Sequence, residues 1–260
     1  MTRLRVQLGL GLLSAGRRWG YTNEPPPEAD AVWELLETAL ALGIRFFDTA
    51  PAYASSECRL GTFLSRLPSQ QLAEVTIATK FGEHWDEDTG TAFTDHSYRS
   101  LLSSLERSFE RLPRIDVLQL HKATVAVVNN PEVQRAFDHA RSLGVRYLGA
   151  SLSDRETASA VVRDGRFAFI QFPYNASNNS LEDVFGLAED AGIRVIVNRP
   201  FAMGNLLYND SVPKGTDAKI DAFSAILCRA SAGVILTGTK SAVHLRQNAA
   251  AFRQALERRP

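Results

Sequence analysis

Three ionisable side chains of different kinds each end a short apolar run: Asp48 closes IRFFD, Lys80 closes VTIATK and His121 closes DVLQLH. Tyr53 follows Asp48 in a stretch leading into Ser55-Ser56-Glu57. Taken singly, each has an ordinary explanation. A polar residue at a strand end is commonly the first solvated one, and Tyr53 alone reads as a loop aromatic packed on a rim. Together they describe a proton-transfer device. A phenol near pKa ~10 is a poor acid at neutral pH, and an adjacent ammonium favours the phenolate and lowers that pKa. A carboxylate keeps the ammonium charged and aimed, and an imidazole can hydrogen-bond a carbonyl oxygen and orient it. The set suits general-acid protonation of a carbonyl, whose carbon then needs a hydride. No side chain supplies hydride, so a nicotinamide dinucleotide is implied.

Such groups must be brought together by the elements that end in them. Apolar runs near 6–11, 44–48, 75–80, 115–121, 145–150, 167–172, 193–197 and 233–237 read as buried strands. Helical spacing fills most of the intervals: Val32, Leu35, Leu36, Ala39, Leu40 and Leu42 form one apolar stripe, and Leu101, Leu105, Phe109 and Leu112 another. Gly43-Ile44-Arg45 recurs as Gly144-Val145-Arg146 and Gly192-Ile193-Arg194, with a looser copy at Gly233-Val234-Ile235. Each glycine fits the left-handed position that ends a helix before the next strand begins. Alternating strands and helices imply parallel pairing with right-handed crossovers. Eight strands without a Pro- or Gly-rich linker predict an α/β fold, a closed (β/α)8 TIM barrel in a single domain over residues 1–260. A doubly wound open sheet is the alternative, but Gly9-Leu10-Gly11 stops short of the G-x-G-x-x-G fingerprint and opens no helix. Barrel enzymes hold their chemistry at the C-terminal ends of the strands, where Asp48, Lys80 and His121 stand.

The chain has 260 residues, 29 Lys+Arg and 29 Asp+Glu, giving zero formal charge. That balance argues against nucleic acid as a partner. With 45% hydrophobic and 22% charged residues it is a globular composition. No run approaches the ~18 apolar residues of a membrane helix. Cys58 and Cys228 are too few for a disulfide framework and read as free thiols of a reducing compartment, so a cytoplasmic location is expected. Residues 1–16, with Arg3, Arg5 and a following apolar run, imitate a secretory leader, but Gln7 and two glycines dilute the run, and a buried strand is the preferred reading. The Asn175, Asn178 and Asn209 sequons matter only if the leader reading holds. His84, Asp86, Glu87 and Asp88 could suggest a metal site, but with no second histidine at ligand spacing a solvated loop is expected and no metal. Ser153 with Glu156 reads as a capping box.

The segment Gly43 to Tyr53, GIRFFDTAPAY, with Ser56-Glu57 and Leu60-Gly61 after it, resembles the signature of the aldo-keto reductases. Further pieces run almost end to end: LGLGLL, ATKFG, LERSFERLPRIDVLQLH, VRYLGAS, IQFPYN, RPFAMGNLL and TGTKSAVHLRQN. The resemblance implies the barrel fold and NAD(P)H-dependent interconversion of a carbonyl and an alcohol. It makes Tyr53 the acid/base, Lys80 and Asp48 its tuners, and His121 the residue that orients a small-molecule substrate. Ser151 and Gln171 match side chains that hold the nicotinamide carboxamide, whereas Leu152 and Asn198 stand where asparagine and a stacking tyrosine are common. Arg199, Pro200, Phe201 and Gly204 belong to the cofactor-lining segment, and Arg199 could lay its guanidinium on the ring or a phosphate or simply form a barrel-end ion pair. Trp85 is a candidate wall of the substrate pocket.

The final motif is also legible physically. Gly238-Thr239-Lys240-Ser241 opens a helix through Leu245, Asn248 and Phe252, so free amides and a lysine make an anion site there. Ser241 doubles as an ordinary N-cap. In the family this turn receives the adenosine 2′-phosphate, with Gln247 and Asn248 at the adenine. Gly238 and His244 replace two basic residues common there, which leaves Lys240 as substitute and makes NADP(H) the expected cofactor with NAD(H) as the alternative. Shortened loops after Phe201 and at the C-terminus imply an open pocket. Two other readings stay open: a nucleotide-binding regulatory barrel without turnover, and a Schiff-base aldolase using Lys80. The sequence leaves oligomeric state and substrate undetermined.

Overall fold

The computed structural model describes residues 6–21, 23–208 and 216–258. Arg3 and Arg5 of the leader-like segment and the Asn209 sequon lie outside the described residues. The strands are β1 (Val6–Gly11), β2 (Phe46–Asp48), β3 (Thr76–Phe81), β4 (Glu83–Asp86), β5 (Thr91–Thr94), β6 (Val117–Leu120), β7 (Tyr147–Ser151), β8 (Phe169–Pro173), β9 (Arg194–Asn198) and β10 (Gly233–Gly238). Eight of them close a parallel barrel in the order β1-β10-β9-β8-β7-β6-β3-β2. Every expected strand is present, and VQLGLG is strand rather than leader-like helix.

The sequence reading missed β4 and β5, which pair antiparallel as a hairpin over what was expected to be a solvated loop. Its turn is built by Asp86, whose carboxylate accepts from the amides of Asp88 and Thr89, and by Gly90 at φ 63°. His84 is correspondingly not solvated. It is buried, stacked on Phe93 at 5.2 Å and bonded to the Asp95 carbonyl and the Ser100 hydroxyl. Among the described residues no acidic, histidine or cysteine group has the composition of a metal site.

The repeated glycines divide into two kinds. Gly43, Gly144 and Gly192 have φ of 82°, 99° and 68°. The residue after each donates its amide back into the helix, Ile44 to Ala39, Val145 to Ala140 and Ile193 to Ala188, so one capping motif ends three helices. Gly233 is different: a Cβ there would lie 2.0 Å from the Val195 carbonyl, so close strand approach requires it. The Arg155–Asp164 helix is capped by Asp154, which accepts from the Thr157 amide, and not by the expected Ser153–Glu156 pair. Asn175 is buried, donating to the Arg199 carbonyl, and so is no exposed acceptor.

Two apolar layers position the site. Helices pack on the outside of the barrel through residues such as Leu35, Leu36, Leu101 and Leu105. Inside, Phe46, Ala78, Val117, Phe169, Ile196, Val234 and Leu236 form a separate cluster that fills the barrel. Strand side chains alternate between faces. The inward residue two positions further on is therefore Asp48, Lys80, Gln119, Gln171 and Asn198, a polar layer resting on the apolar one.

Candidate active site

Lys80 and Asp48 meet in that polar layer. Lys80 Nζ lies 2.7 Å from Asp48 Oδ2 and donates a second bond to the Thr49 carbonyl at 2.9 Å. Both side chains are almost wholly buried, at 1% and 3% exposure. Burial is the largest influence on Lys80 and lowers its pKa, but the neighbouring Asp48 and Tyr53 together outweigh it and raise the value. The ammonium is therefore held charged. Asp48 has further partners that sequence reasoning did not identify: Gln119 Nε2 donates to Oδ1 at 2.8 Å and Gln171 Nε2 lies 3.4 Å from Oδ2.

After β2 the chain turns through Pro51–Tyr53. Gly16, at the end of a short helical turn after β1, is forced by close approach, since a Cβ there would meet the Tyr53 carbonyl at 1.9 Å. The Tyr53 ring consequently lies 4.8 Å from Lys80 Nζ and edge-on to His121 at 5.9 Å. Its pKa is raised, contrary to the expectation of a lowered one. Burial disfavours the phenolate more than the Lys80 charge and hydrogen bond favour it, while Asp48 and Glu83 oppose it further. The group that faces the cleft is thus a phenol carrying its proton.

His121 is held neutral, well below its usual range, by burial first and then by the charges of Lys80, Lys122 and Arg17. Its Nδ1 lies 3.1 Å from Glu83 Oε2, out of hydrogen-bonding alignment. His96, also overlooked in the sequence, holds the His121 carbonyl at 2.8 Å. Glu57 lies just outside the site, completely buried, and accepts from Thr79, Ser108 and Arg111. Burial raises its carboxyl pKa against those partners.

A cleft of about 1070 Å³ opens above these groups. Its lining includes Asp48, Tyr53, His121, Ser151, Gln171, Arg199, Pro200, Phe201, Gly204, Gly238, Thr239, Lys240, His244, Gln247 and Asn248. The structure therefore gathers the expected residues along one surface, with Lys80 immediately beneath it. Trp85 is the exception. It lines a shallower depression on the rim with Arg17, Trp19 and Ala54, because the β4–β5 hairpin carries it outward. Three buried acceptors in the cleft wall have no partner: Gln171 Oε1, Asn198 Oδ1 and Asn248 Oδ1. At the far end Ser241 caps the Ala242–Glu257 helix. Lys240 donates to the Glu24 carbonyl, and burial lowers its pKa. Lys219, absent from the sequence-derived set, bonds Gln247 there at 3.0 Å. No helix among the described residues is long and apolar enough to cross a membrane.

The profile described as "Aldo/keto reductase family" matches residues 7–224. YqkF of Bacillus subtilis, named an uncharacterized oxidoreductase, is 27% identical over 203 residues, 77% of this chain and 62% of that protein. L-galactose dehydrogenase of Arabidopsis thaliana is 28% identical over 237 residues, 86% of this chain and 70% of the relative. The chain spans less than two thirds of several curated relatives, 62%, 56% and 51% for three of them. The crystal structure of PA4992 of Pseudomonas aeruginosa superposes with a TM-score of 0.80 at 27% identity, covering 96% of this chain and 90% of that one. A buried aspartate–lysine pair with a tyrosine and a histidine at a long cleft, on a barrel so similar in course, accords with the profile match: the chain belongs to the aldo/keto reductase family.

Proposed function

We propose that this chain, acting as one domain, interconverts a carbonyl and an alcohol with NADP(H), or less tightly NAD(H), as redox partner. One observation supports this above others: the buried Lys80–Asp48 pair stands against a protonated Tyr53 at the floor of a cleft large enough for a dinucleotide and a small substrate. The fit to a nicotinamide dinucleotide rests on the unpartnered acceptors. Gln171, Asn198 and Asn248 line the cleft and each holds a buried amide oxygen without a partner, an acceptor that a carboxamide or adenine amino group would satisfy. Lys219, Lys240 and the helix N-terminus behind Ser241 would take phosphate. When bound, the dinucleotide supplies hydride to the carbonyl carbon.

The chain's own residues handle the proton. Neutral His121 hydrogen-bonds the carbonyl oxygen and orients it. Tyr53 donates its proton to that oxygen, and the resulting phenolate is stabilised by the Lys80 ammonium, which Asp48 keeps charged. Tyr53 is then reprotonated from solvent. In the reverse direction the phenolate is the base. A Schiff-base aldolase is disfavoured, because a nucleophilic lysine must be neutral and Lys80 is held charged by Asp48 and Tyr53.

The test is a panel of aldehydes, ketones and aldoses with NADPH and NADH, followed at the nicotinamide absorbance, alongside Tyr53→Phe. The variant should lose about 10²–10⁴-fold in turnover while binding dinucleotide nearly as well, since the hydroxyl serves proton transfer and not docking. A variant retaining more than half the parent rate would remove Tyr53 from the mechanism.

A further inference from the structure

Arg17 is a cation in the cleft that the mechanism above leaves unused. It follows the Leu13–Gly16 turn whose last residue abuts Tyr53. Its guanidinium carbon lies 5.3 Å from the Trp85 ring centre, 5.8 Å from Trp19 and 6.0 Å from Tyr53, so three aromatic rings surround it. It lines both the main cleft and the rim depression, at the point where the two adjoin.

Among the described residues the group makes no ion pair. Three other partly buried arginines have carboxylates, Arg111 with Glu57, Arg114 with Asp116 and Arg166 with Asp164, while Arg59 is held by the Ala15 and Pro27 carbonyls. Arg17 has none within ion-pair distance among the described residues, and its buried Nε has no hydrogen-bond partner. The acidic residues lining the same cleft are Asp48, Glu83 and Glu24, of which Asp48 is taken by Lys80. Glu83 is opposed by the Lys122 ammonium at 3.6 Å. Arg17 is half-buried, with its Nε enclosed and unpartnered, and a carboxylate or phosphate would satisfy the guanidinium with two parallel charge-assisted bonds. Aromatic walls hold the fork in place without competing for it.

We infer that Arg17 is a specificity residue: it receives an anionic group, carboxylate or phosphate, borne close to the carbonyl that is reduced. The inference rests on the carbonyl-reductase reading, and its test separates the two. Matched substrates differing in charge are compared, 4-oxobutanoate against its methyl ester and glyceraldehyde 3-phosphate against glyceraldehyde. The parent should favour the charged member of at least one pair by roughly 10- to 100-fold in kcat/KM. That ratio should fall to near unity in Arg17→Met and survive in large part in Arg17→Lys. Independently of turnover, succinate and inorganic phosphate are titrated by tryptophan fluorescence, with succinamide as neutral control, in the presence and absence of NADP⁺. Trp19 and Trp85 flank the guanidinium, so an anion bound there should change the emission of the parent and not of Arg17→Met. The stronger of the two anions identifies the substrate's group. A parent without charge preference, a ratio unchanged in Arg17→Met, or anion binding that ignores Arg17 overturns the inference while leaving the reductase reading intact. Arg17-dependent anion binding with no reduction of any panel member supports the anion site and sinks the reductase reading.

Discussion

Replacing Lys80 by methionine keeps the stem that packs through the polar layer and removes only the ammonium. Asp48 then loses a partner at 2.7 Å and keeps two neutral amide donors, Gln119 at 2.8 Å and Gln171 at 3.4 Å. The Thr49 carbonyl loses its donor as well. Breaking one side of a buried pair is expected to cost about 3–5 kcal/mol, because the remaining charge stays desolvated. That is a large share of a typical total of ~5–15 kcal/mol. Adding Asp48→Asn removes the stranded charge, so Lys80→Met/Asp48→Asn should recover at least ~2 kcal/mol over Lys80→Met alone. Urea unfolding followed by tryptophan fluorescence gives both figures, and the four proteins form a double-mutant cycle. Catalysis should not follow stability: the double variant regains its fold and stays inactive, since nothing then stabilises the Tyr53 phenolate. If Lys80→Met loses less than ~1 kcal/mol, or the two substitutions simply add, the pair is not the coupled buried unit described above.

Glu57→Ala leaves Thr79, Ser108 and Arg111 without their shared acceptor and should lower unfolding free energy by about 3–5 kcal/mol, with Glu57→Gln losing less; urea titration checks both. His121 is held neutral in the fold but protonates in the unfolded chain near pH ~6.5. The unfolded state therefore binds the extra proton, and stability should fall as pH drops below that value, less so in His121→Gln; thermal melts between pH 5 and 8 test the sign. For the same reason kcat/KM for reduction should show no break at the ordinary imidazole pKa. NADPH should bind about tenfold more tightly than NADH, through Lys219, Lys240 and the helix N-terminus. Fluorescence titration should show that margin shrink in Lys219→Met.

The eight barrel strands were legible because buried parallel strands are continuous apolar runs, and the helices between them carry a different period. Asp48, Lys80 and His121 were legible because they interrupt those runs at the end where barrels keep their chemistry. Gln119 was not, although it lies two residues before His121 on the same face. A glutamine inside an apolar run gives no sign of which way it points until the neighbouring strands set the phase. The β4–β5 hairpin was obscured by its charge: Glu83, Asp86, Glu87 and Asp88 suggest solvent, while the turn signal lies in Asp86 and Gly90. Arg17, beside Arg18, and Lys219 are cations in ordinary surroundings, and only the approach of distant segments brings them to the cleft. The sign of the Tyr53 shift failed for a related reason. Spacing places a lysine beside the phenol, but the burial that outweighs it is a property of the assembled barrel.

The unpartnered acceptors link this architecture to its chemistry. Natural folds satisfy nearly all buried polar groups, and here the exceptions are distributed unevenly. Donors in the polar layer are used within it: Gln119 and Gln171 direct their amide nitrogens to Asp48, and Asn248 directs its own to the Thr237 hydroxyl. The oxygens of Gln171, Asn198 and Asn248, three residues that line the cleft, are buried and left without partners, as is that of Gln119 beneath them. A purely structural layer gains nothing from that arrangement, whereas a layer that must receive a ligand rich in N–H donors gains three ready acceptors. Asn198 fits this pattern despite standing where the family commonly stacks an aromatic ring. On the proposed reading, the amide acceptors would meet the dinucleotide and Arg17 the substrate's anion, so separate side chains lining one cleft would govern the two ligands.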